Sequence, residues 1–373
     1  MYPTITDLIQ DLFGIYIPLP IQSFGFFVAL SFLLGAYAFA QELKRKEEQG
    51  LLKAFIEKEI VGEAAKVSEL LVSAFSGFIL GYKLIYAFLN YSDFVANPQG
   101  IILSLEGSLV GGVLSLIGFT YLKYREKEKL KLSTPEEREE TVHPHQLIGN
   151  IVMISFIAGI LGAKIFHNLE NIDELLEDPI GALLSFSGLT FYGGLICGAG
   201  AVLYYTKSKN LSILHTIDAA APGLMLSYGI GRIGCQVAGD GDWGIMNTMP
   251  QPGWLSFLPE WVWAYDYPNN VLGVELMNKV FPTPLYESIL CIGLFGFLWA
   301  IRKKVNIPGV LFSIYLVLNG VERFFIEKIR VNEVYEIASY YITQAEIISV
   351  CMVLLGGAGL YFFRKRFIDK TLT

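Results

Sequence analysis

An arginine surrounded by glycines is the feature of this sequence that bears most directly on chemistry. Arg232 lies in DAAAPGLMLSYGIGRIGCQVAGDGDWG, residues 218–244, inside an apolar stretch with three glycines within three residues of it. Burying an unpaired arginine at membrane depth is costly, so we expect an anionic partner. Its guanidinium is a rigid fork of donors that matches phosphate oxygens, and small neighbours let a bulky ligand approach. A pair with a carboxylate such as Asp240, or extension towards the interface, fits equally well.

A second arginine stands in a comparable position. Arg323 belongs to NGVERFFIEKIR, residues 319–330, and Glu327 follows four residues later on the same helix face. One interpretation is an internally neutralised pair that holds helices together. Two arginines at one predicted depth, on separate apolar stretches, favour instead a shared anion such as a phospholipid head group.

Two other segments carry polar groups that we expect near the same depth. SGLTFYGG, residues 187–194, places Tyr192 beside a Gly-Gly pair, and PTPLYE, residues 282–287, ends in Tyr286 and Glu287. A tyrosine at a membrane interface is usually an anchor, but its hydroxyl also exchanges hydrogen bonds with a ligand. A carboxylate in the first turn of a helix is favoured by the helix dipole alone.

Composition excludes several classes of protein. The chain has 373 residues, of which 53% are hydrophobic and 17% charged, whereas soluble proteins have about 25% charged residues. The net charge of −7 gives no basic footprint for nucleic acid. The four cysteines form no CxxC pair and the histidines are scattered, so we expect no metal site and no cofactor.

Apolar stretches of about 20 residues predict an all-α polytopic membrane protein with about nine transmembrane helices. The stretches are about 21–40, 68–89, 101–122, 147–168, 180–205, 211–236, 285–301, 308–327 and 343–363.

The distribution of Lys and Arg predicts the orientation of these helices. Of 28 such residues, 21 lie in one set of connections and the C-terminal tail, and 3 lie in the opposite connections. The positive-inside rule therefore places the N-terminus outside and the C-terminus in the cytoplasm. The first twenty residues have no basic n-region, so we expect no cleaved signal peptide.

This topology divides the chain into six parts. They are a first span with its cytoplasmic connector (1–67), a helical hairpin (68–122), a charged cytoplasmic loop (123–146), core spans (147–236), one outward, periplasmic lobe (237–284) and three C-terminal spans (285–373).

The hairpin 68–122 is one copy of an internal repeat. ILGYKLI at 79–85 matches ILGAKIF at 160–166 with an offset of 81, and GSLVGG at 107–112 matches GLTFYGG at 188–194 with one residue inserted. Both copies start on the predicted cytoplasmic side, so they are parallel. A duplicated scaffold hairpin explains this pattern better than a transporter repeat, which usually covers half the protein.

The residues resemble the family of prolipoprotein diacylglyceryl transferases, which lipidate bacterial lipoprotein precursors. The family signature, Gly-Arg-x-Gly and then a polar turn with an acidic residue and a glycine, is similar to GRIG at 231–234 and the turn ending at Gly244. Further blocks that match in order are LGAK (161–164), SGLTFYGGL (187–195), PTPLYE (282–287) and NGVERFFIEKIR (319–330). The resemblance covers about 20–40 and 147–363, and makes 68–122 a two-helix insertion that leaves the topology unchanged.

The resemblance implies roles for individual residues. The expected catalytic residues are Arg232, Arg323 and Tyr192; the expected phospholipid-binding residues are Arg232, Gly234, Asp240 and Gly244; the expected supporting residues are Glu327, Tyr286 and Asp218. Arg330 also matches. Departures from the family pattern are Tyr192 for a histidine, Cys235 for an asparagine, and Asn319 and Phe24 for tyrosines. The signature glutamate falls on either Asp240 or Asp242.

The resemblance implies transfer of a diacylglyceryl group from phosphatidylglycerol to the lipobox cysteine of a prolipoprotein signal peptide. The enzyme would lie in the bacterial inner membrane, with its site near the periplasmic leaflet and no metal or cofactor. Two alternatives stay open. A non-catalytic lipid- or lipoprotein-binding protein would keep the arginines and lose the base. A transporter would need a path that reaches the cytoplasmic side. The intramembrane lysines Lys83 and Lys164 occupy equivalent repeat positions near the outer ends, where packing or extension towards the interface explains them.

Overall fold

The chain folds mostly into helices, and the computed structural model describes residues 1–184, 190–332, 334–337 and 340–372. In chain order the helices are α1 (Ile5–Phe13), α2 (Ser23–Glu48), α3 (Val67–Leu89), α4 (Tyr91–Ala96), α5 (Pro98–Leu103), α6 (Leu109–Leu130), α7 (Ile148–Glu170), α8 (Ile172–Glu177), α9 (Pro179–Leu184), α10 (Phe191–Ser208), α11 (Ile213–Ala238), α12 (Thr283–Ile301), α13 (Val310–Glu327) and α14 (Gln344–Leu372). The strands are β1 (Phe55–Val61), β2 (Glu136–Val142), β3 (Val334–Ile337) and β4 (Tyr340–Thr343). Short 3-10 turns lie at Pro144–Leu147, Gly253–Leu255 and Glu260–Val262.

Nine helices in the described parts of the chain have 18 or more residues, and each overlaps one predicted apolar stretch. Five of them are long and apolar enough to cross a membrane: α2, α3, α7 with the turn before it, α12, and α14 as far as Phe367. The chain is therefore a mostly helical membrane protein. The count of nine spans stays a prediction.

Two long helices begin later than their apolar stretches predict. α6 begins at Leu109 because the Ser108 side chain accepts a hydrogen bond from the Gly111 amide at 3.1 Å, a typical N-cap. Residues 98–103 form the separate helix α5. α10 likewise begins at Phe191, after the short helix α9. Residues 187–189 of the predicted SGLTFYGG motif lie outside the described residues.

The charged run 123–146, predicted to be a connector, contains regular structure. α6 continues through it to Leu130, and β2 pairs with β1 in a two-stranded sheet. The side chains of β2 are mostly charged, so a hydropathy pattern does not reveal this strand. A second sheet pairs β3 with β4 antiparallel, with Val334 opposite Thr343.

Two compact units make up the chain. One contains Met1, Phe27–Phe55 and His143–Thr373, and the other contains Tyr2–Phe26 and Ile56–Val142. The first hairpin lies in the second of these units, and the candidate site lies in the first.

The predicted repeat is present in the structure and is longer than its sequence match. Helices α3, α4 and α5 start and end 81 residues before α7, α8 and α9. Contacts repeat as well: a Cβ at Gly81 would lie 2.4 Å from the Gly111 carbonyl oxygen, and one at Gly162 would lie 2.5 Å from that of Gly193. These close backbone approaches explain why both copies keep small residues at these positions.

α11, α12 and α13 pack together and form the core beneath the candidate site. Met225, Cys291, Leu298 and Leu311 form a fully buried cluster between them. A Cβ at Gly229 would lie 3.2 Å from the Cys291 Cβ, so this glycine lets α11 approach α12 closely. Gly239, with φ of +65°, ends α11 in the left-handed conformation that glycine adopts readily. The chain then turns into residues 240–244.

Candidate active site

A fully buried carboxylate, Glu287, lies at the centre of the arginines that the sequence analysis singled out. It is the fifth residue of α12 and has no exposed surface. Its Oε1 accepts hydrogen bonds from the Tyr228 hydroxyl and from Arg323 Nη1, both at 2.8 Å. Arg232 Nε lies 3.0 Å from its Oε2, and Arg330 Nη1 lies 3.5 Å from its Oε1. The Glu287 carboxylate thus contacts three guanidiniums, which come from α11, from α13 and from the loop after α13.

Arg232 is held by a second carboxylate and by a ring. Its Nη1 pairs with Asp242 Oδ2, and its guanidinium carbon lies 5.2 Å from the centre of the Tyr228 ring. Cys235, one turn further along α11, has its Sγ 3.7 Å from Arg232 Nη1. The expected anionic partner of Arg232 is therefore Asp242 together with Glu287. Asp240 is not that partner.

Asp242 also pairs with Arg330, so its two oxygens bridge two arginines. The backbone fixes this arrangement: Gly244 and Arg330 form an antiparallel bridge, and the Thr283 hydroxyl donates to the Asp242 carbonyl at 2.8 Å. A Cβ at Gly244 would lie 2.4 Å from the Ile329 carbonyl oxygen. Only glycine fits there.

Arg323 is neutralised a second time by Glu327, as their i,i+4 spacing predicts. Arg323 Nη2 lies 3.2 Å from Glu327 Oε2, and Asn332 Nδ2 donates to Glu327 Oε1 at 2.6 Å. Tyr192, at the start of α10, lies within electrostatic range of Arg323, Glu327 and Arg330. The charges of these groups therefore act on the Tyr192 hydroxyl. We call the six groups Arg232, Arg323, Arg330, Asp242, Glu287 and Glu327 the arginine cluster.

The two aspartates after α11 differ in electrostatics. Burial raises the pKa of the Asp240 carboxyl above its ordinary value. Burial also acts to raise the pKa of the Asp242 carboxyl, but the guanidiniums of Arg232 and Arg330 outweigh it and hold that pKa below its ordinary value. Asp242 is therefore the more readily ionised of the two.

Within the described residues, one group of side chains is compact enough to hold a metal ion. The ligand atoms of Cys235, Asp240 and Asp242 lie within 4.8 Å of one another. Asp242 already bridges two guanidiniums, whose positive charge disfavours a further cation. The arrangement suits an anion instead, because a ligand phosphate offers the arginines the same kind of oxygens as Asp242.

Two predicted site residues, Asp218 and Tyr286, take other positions. Asp218 lies 14 residues before Arg232 on α11, about 21 Å along a helix, and accepts hydrogen bonds from the Gly309 and Phe312 amides at 2.8 Å each. It caps the start of α13. The Tyr286 hydroxyl donates to the Val262 carbonyl at 2.8 Å, which ties α12 to residues 239–282. Gly234 is buried within α11.

The sequence analysis gave no site role to Glu287, Arg330 or Tyr228. The signal was present for Glu287, since PTPLYE ends in it, but the helix dipole explained that carboxylate equally well. Tyr228 had none. Its place four residues before Arg232 puts both side chains on one helix face, which is the only sequence indication of their contact.

Comparison with known proteins identifies the family of this chain. The family model for prolipoprotein diacylglyceryl transferase matches residues 130–362. The phosphatidylglycerol–prolipoprotein diacylglyceryl transferase of Leptospira interrogans is 29% identical in an alignment covering 61% of this chain and 73% of the relative. The proteins of that name from Clostridium tetani and Dehalococcoides mccartyi are 28% and 24% identical, covering 56% and 74% of this chain and 78% and 92% of the relatives. This chain belongs to the prolipoprotein diacylglyceryl transferase family.

Proposed function

We propose that this protein transfers a diacylglyceryl group from phosphatidylglycerol to the cysteine thiol of a prolipoprotein signal peptide. The observation that carries the proposal is the arginine cluster, in which three guanidiniums converge on the fully buried Glu287. Family membership and the names of the relatives support it. Neither the family nor those names favour a non-catalytic binding protein or a transporter.

The phosphate of the lipid would bind where Asp242 bridges Arg232 and Arg330. The Asp242 side chain is 35% exposed while the arginines are mostly buried, so it lies at the accessible edge of the cluster. A phosphodiester would compete for these donors, and Arg323 would complete the set. Gly234 and Gly244 would keep the backbone close to the head group. Asp242, rather than Asp240, would stand for the family's signature glutamate.

The reaction forms a carbon–sulfur bond and breaks a carbon–oxygen bond. The thiolate sulfur attacks the glyceryl carbon, and the electron pair of the broken bond goes to a phosphate oxygen of the departing glycerol phosphate. Positive charge where the phosphate departs lowers the barrier, which is the role we propose for Arg232 and Arg323. Tyr192, as a neutral phenol, would hydrogen-bond the phosphate or the incoming sulfur. The thiol proton would pass to water or to Asp240.

The site would lie near the periplasmic leaflet of the inner membrane. The 21-to-3 distribution of Lys and Arg supports a cytoplasmic C-terminus. With nine spans, residues 239–282 and the arginine cluster would then lie on the outer side. The lipid would enter sideways from the bilayer, and the signal peptide would present its cysteine at the outer interface.

The test is complementation of a transferase-depleted bacterium, with mass spectrometry of a reporter lipoprotein. The parent should add a diacylglyceryl group, and Arg232→Ala should abolish the addition while still inserting in the membrane. Arg232→Lys should rescue poorly, because a point charge does not replace a fork. Arg138→Ala, at an exposed arginine on β2, is the matched control. Near-normal lipidation by Arg232→Ala would contradict the phosphate site.

A further inference from the structure

One buried acid beside the arginine cluster has no role in the proposed reaction. Glu322, on α13, is only 6% exposed. Both of its carboxyl oxygens are buried, and neither has a hydrogen-bond partner among the residues that the structure describes. Buried polar groups are nearly always hydrogen-bonded, so a carboxyl group without partners needs an explanation.

Ionisable groups of α11, α12 and α13, and one just after α13, interact electrostatically with Glu322. The ionisable groups that interact with it electrostatically are Glu287, Arg323, Arg232, Arg330, Tyr228 and Cys291. On α14, Glu346 pairs with Lys328, the residue just after the C-terminal end of α13. Glu322 therefore responds chiefly to the arginine cluster.

Burial without a partner favours the neutral form of a carboxyl group. An ionised carboxylate with no hydrogen bonds in a water-excluded site costs several kcal/mol, and the group takes a proton instead. The charges of the cluster point the same way. Its three arginines already face three carboxylates in close ion pairs, so these charges cancel. Ionisation of Glu322 would add an excess negative charge.

We propose that Glu322 is held as a neutral acid behind the arginine cluster, and that its ionisation expels an anionic phospholipid from the site. It acts through the arginines as a positioning residue that sets their net charge, and we assign it no contact with the lipid. This inference rests on the proposed function, because it takes a phosphodiester as the ligand. A unit charge several ångströms from a bound anion, in a partly buried site, changes its affinity on the order of tenfold to 100-fold.

The test measures binding of short-chain phosphatidylglycerol to the full-length protein in phosphatidylcholine nanodiscs. We expect the Kd of the parent to rise about tenfold or more between about pH 7 and about pH 9.5, since buried glutamates are known to ionise in this range. Glu322→Gln and the apolar Glu322→Leu should lose most of that rise. Glu139→Gln, at an exposed glutamate on β2, should keep it.

Infrared spectroscopy supplies a readout that a merely structural role would not move. The parent should show the carbonyl stretching band of a protonated carboxylic acid, and both Glu322 variants should lack it. A Kd that rises equally in the parent and both variants, or a band that both variants retain, overturns the inference. If neither variant folds, the test uses the parent alone: its carboxylic acid band must vanish over the pH range in which its Kd for phosphatidylglycerol rises. A band that persists over that range also overturns the inference.

These measurements need no transfer reaction. A parent that binds phosphatidylglycerol with this pH dependence but never lipidates a peptide contradicts the proposed function and supports the role of Glu322. A parent that lipidates a peptide with the pH profile of Glu322→Gln supports the function and contradicts the role.

Discussion

Replacing Glu287 by glutamine should destabilise the protein more than any other single change from carboxylate to amide in the arginine cluster. Glutamine keeps an oxygen that accepts from Tyr228 and Arg323, at 2.8 Å each, so the change removes charge and little volume. Three guanidiniums would then share two carboxylates in a site with almost no solvent. Breaking a buried ion pair from one side costs about 3–5 kcal/mol. The ratio of folded to unfolded protein should therefore fall on the order of 100-fold to 10,000-fold.

The measurement is the free energy of unfolding in mixed micelles, by denaturant titration, for the parent and Glu287→Gln. Diacylglyceryl transfer at a temperature where both are folded should fall on the order of 100-fold, the usual loss for one misplaced donor at a reacting phosphate. Glu336→Gln, at an exposed glutamate on β3, should change neither quantity. An unfolding free energy within about 1 kcal/mol of the parent would refute the reasoning, because the arginines would then be held by other groups.

Three further predictions follow from other parts of the site and the repeat. Asp242→Asn should remove a pH dependence of stability. The lowered pKa of the Asp242 carboxyl stabilises the fold at pH values above the pKa of the unfolded state, near 4, and this contribution is lost as the pH falls through the pKa of the folded state. Unfolding titrations of the parent and the variant should therefore converge in acid. Tyr192→Phe should lower the transfer rate on the order of 10- to 1,000-fold. Tyr192→His should stay active, but its rate should fall below about pH 6 as the imidazole is protonated. If Tyr192→Phe transfers as fast as the parent, Tyr192 is only an interface anchor. Lys83→Met should leave transfer largely intact, although the Lys83 ammonium donates to the Ile101 and Glu106 carbonyls at 3.0 and 2.8 Å. Lys164→Met, in the second copy of the repeat, should impair transfer. Equal, severe losses for both variants in lipidation assays would contradict this distinction.

Patterns local to the chain predicted much of this molecule. Apolar length located the long helices, and the i,i+4 spacing of Arg323 and Glu327 predicted their ion pair at 3.2 Å. The repeat of residues 79–85 predicted a hairpin that the structure extends through two further short helices. Each of these features depends on neighbours within a few turns, which the sequence displays directly.

Features that depend on distant partners were out of reach. Arg232 requires an anion, but whether it finds one in Asp240, in Asp242 or in a ligand depends on the turn at Gly239. Glu287 lies 55 residues from Arg232 in the sequence, and only the packing of α12 against α11 brings them within 3.0 Å. Glu322 stands beside Arg323 in the sequence, but adjacent side chains of a helix do not face each other, and the Glu322 carboxyl group has no hydrogen bond among the described residues.

The duplicated hairpin gives the chain a natural comparison with itself. Ser108 and Thr190 occupy the same place in the two copies, since their amides donate to the Tyr82 and Ala163 carbonyls at 2.9 and 3.1 Å. Two residues further on, the second copy has Tyr192, on which the charges of the arginine cluster act, and the first copy has a valine. The first hairpin therefore preserves the backbone of the second without its polar group. Replacing that valine by tyrosine would change the side chain on an equivalent backbone. The first hairpin is therefore an internal control for any effect that Tyr192 has through backbone shape alone.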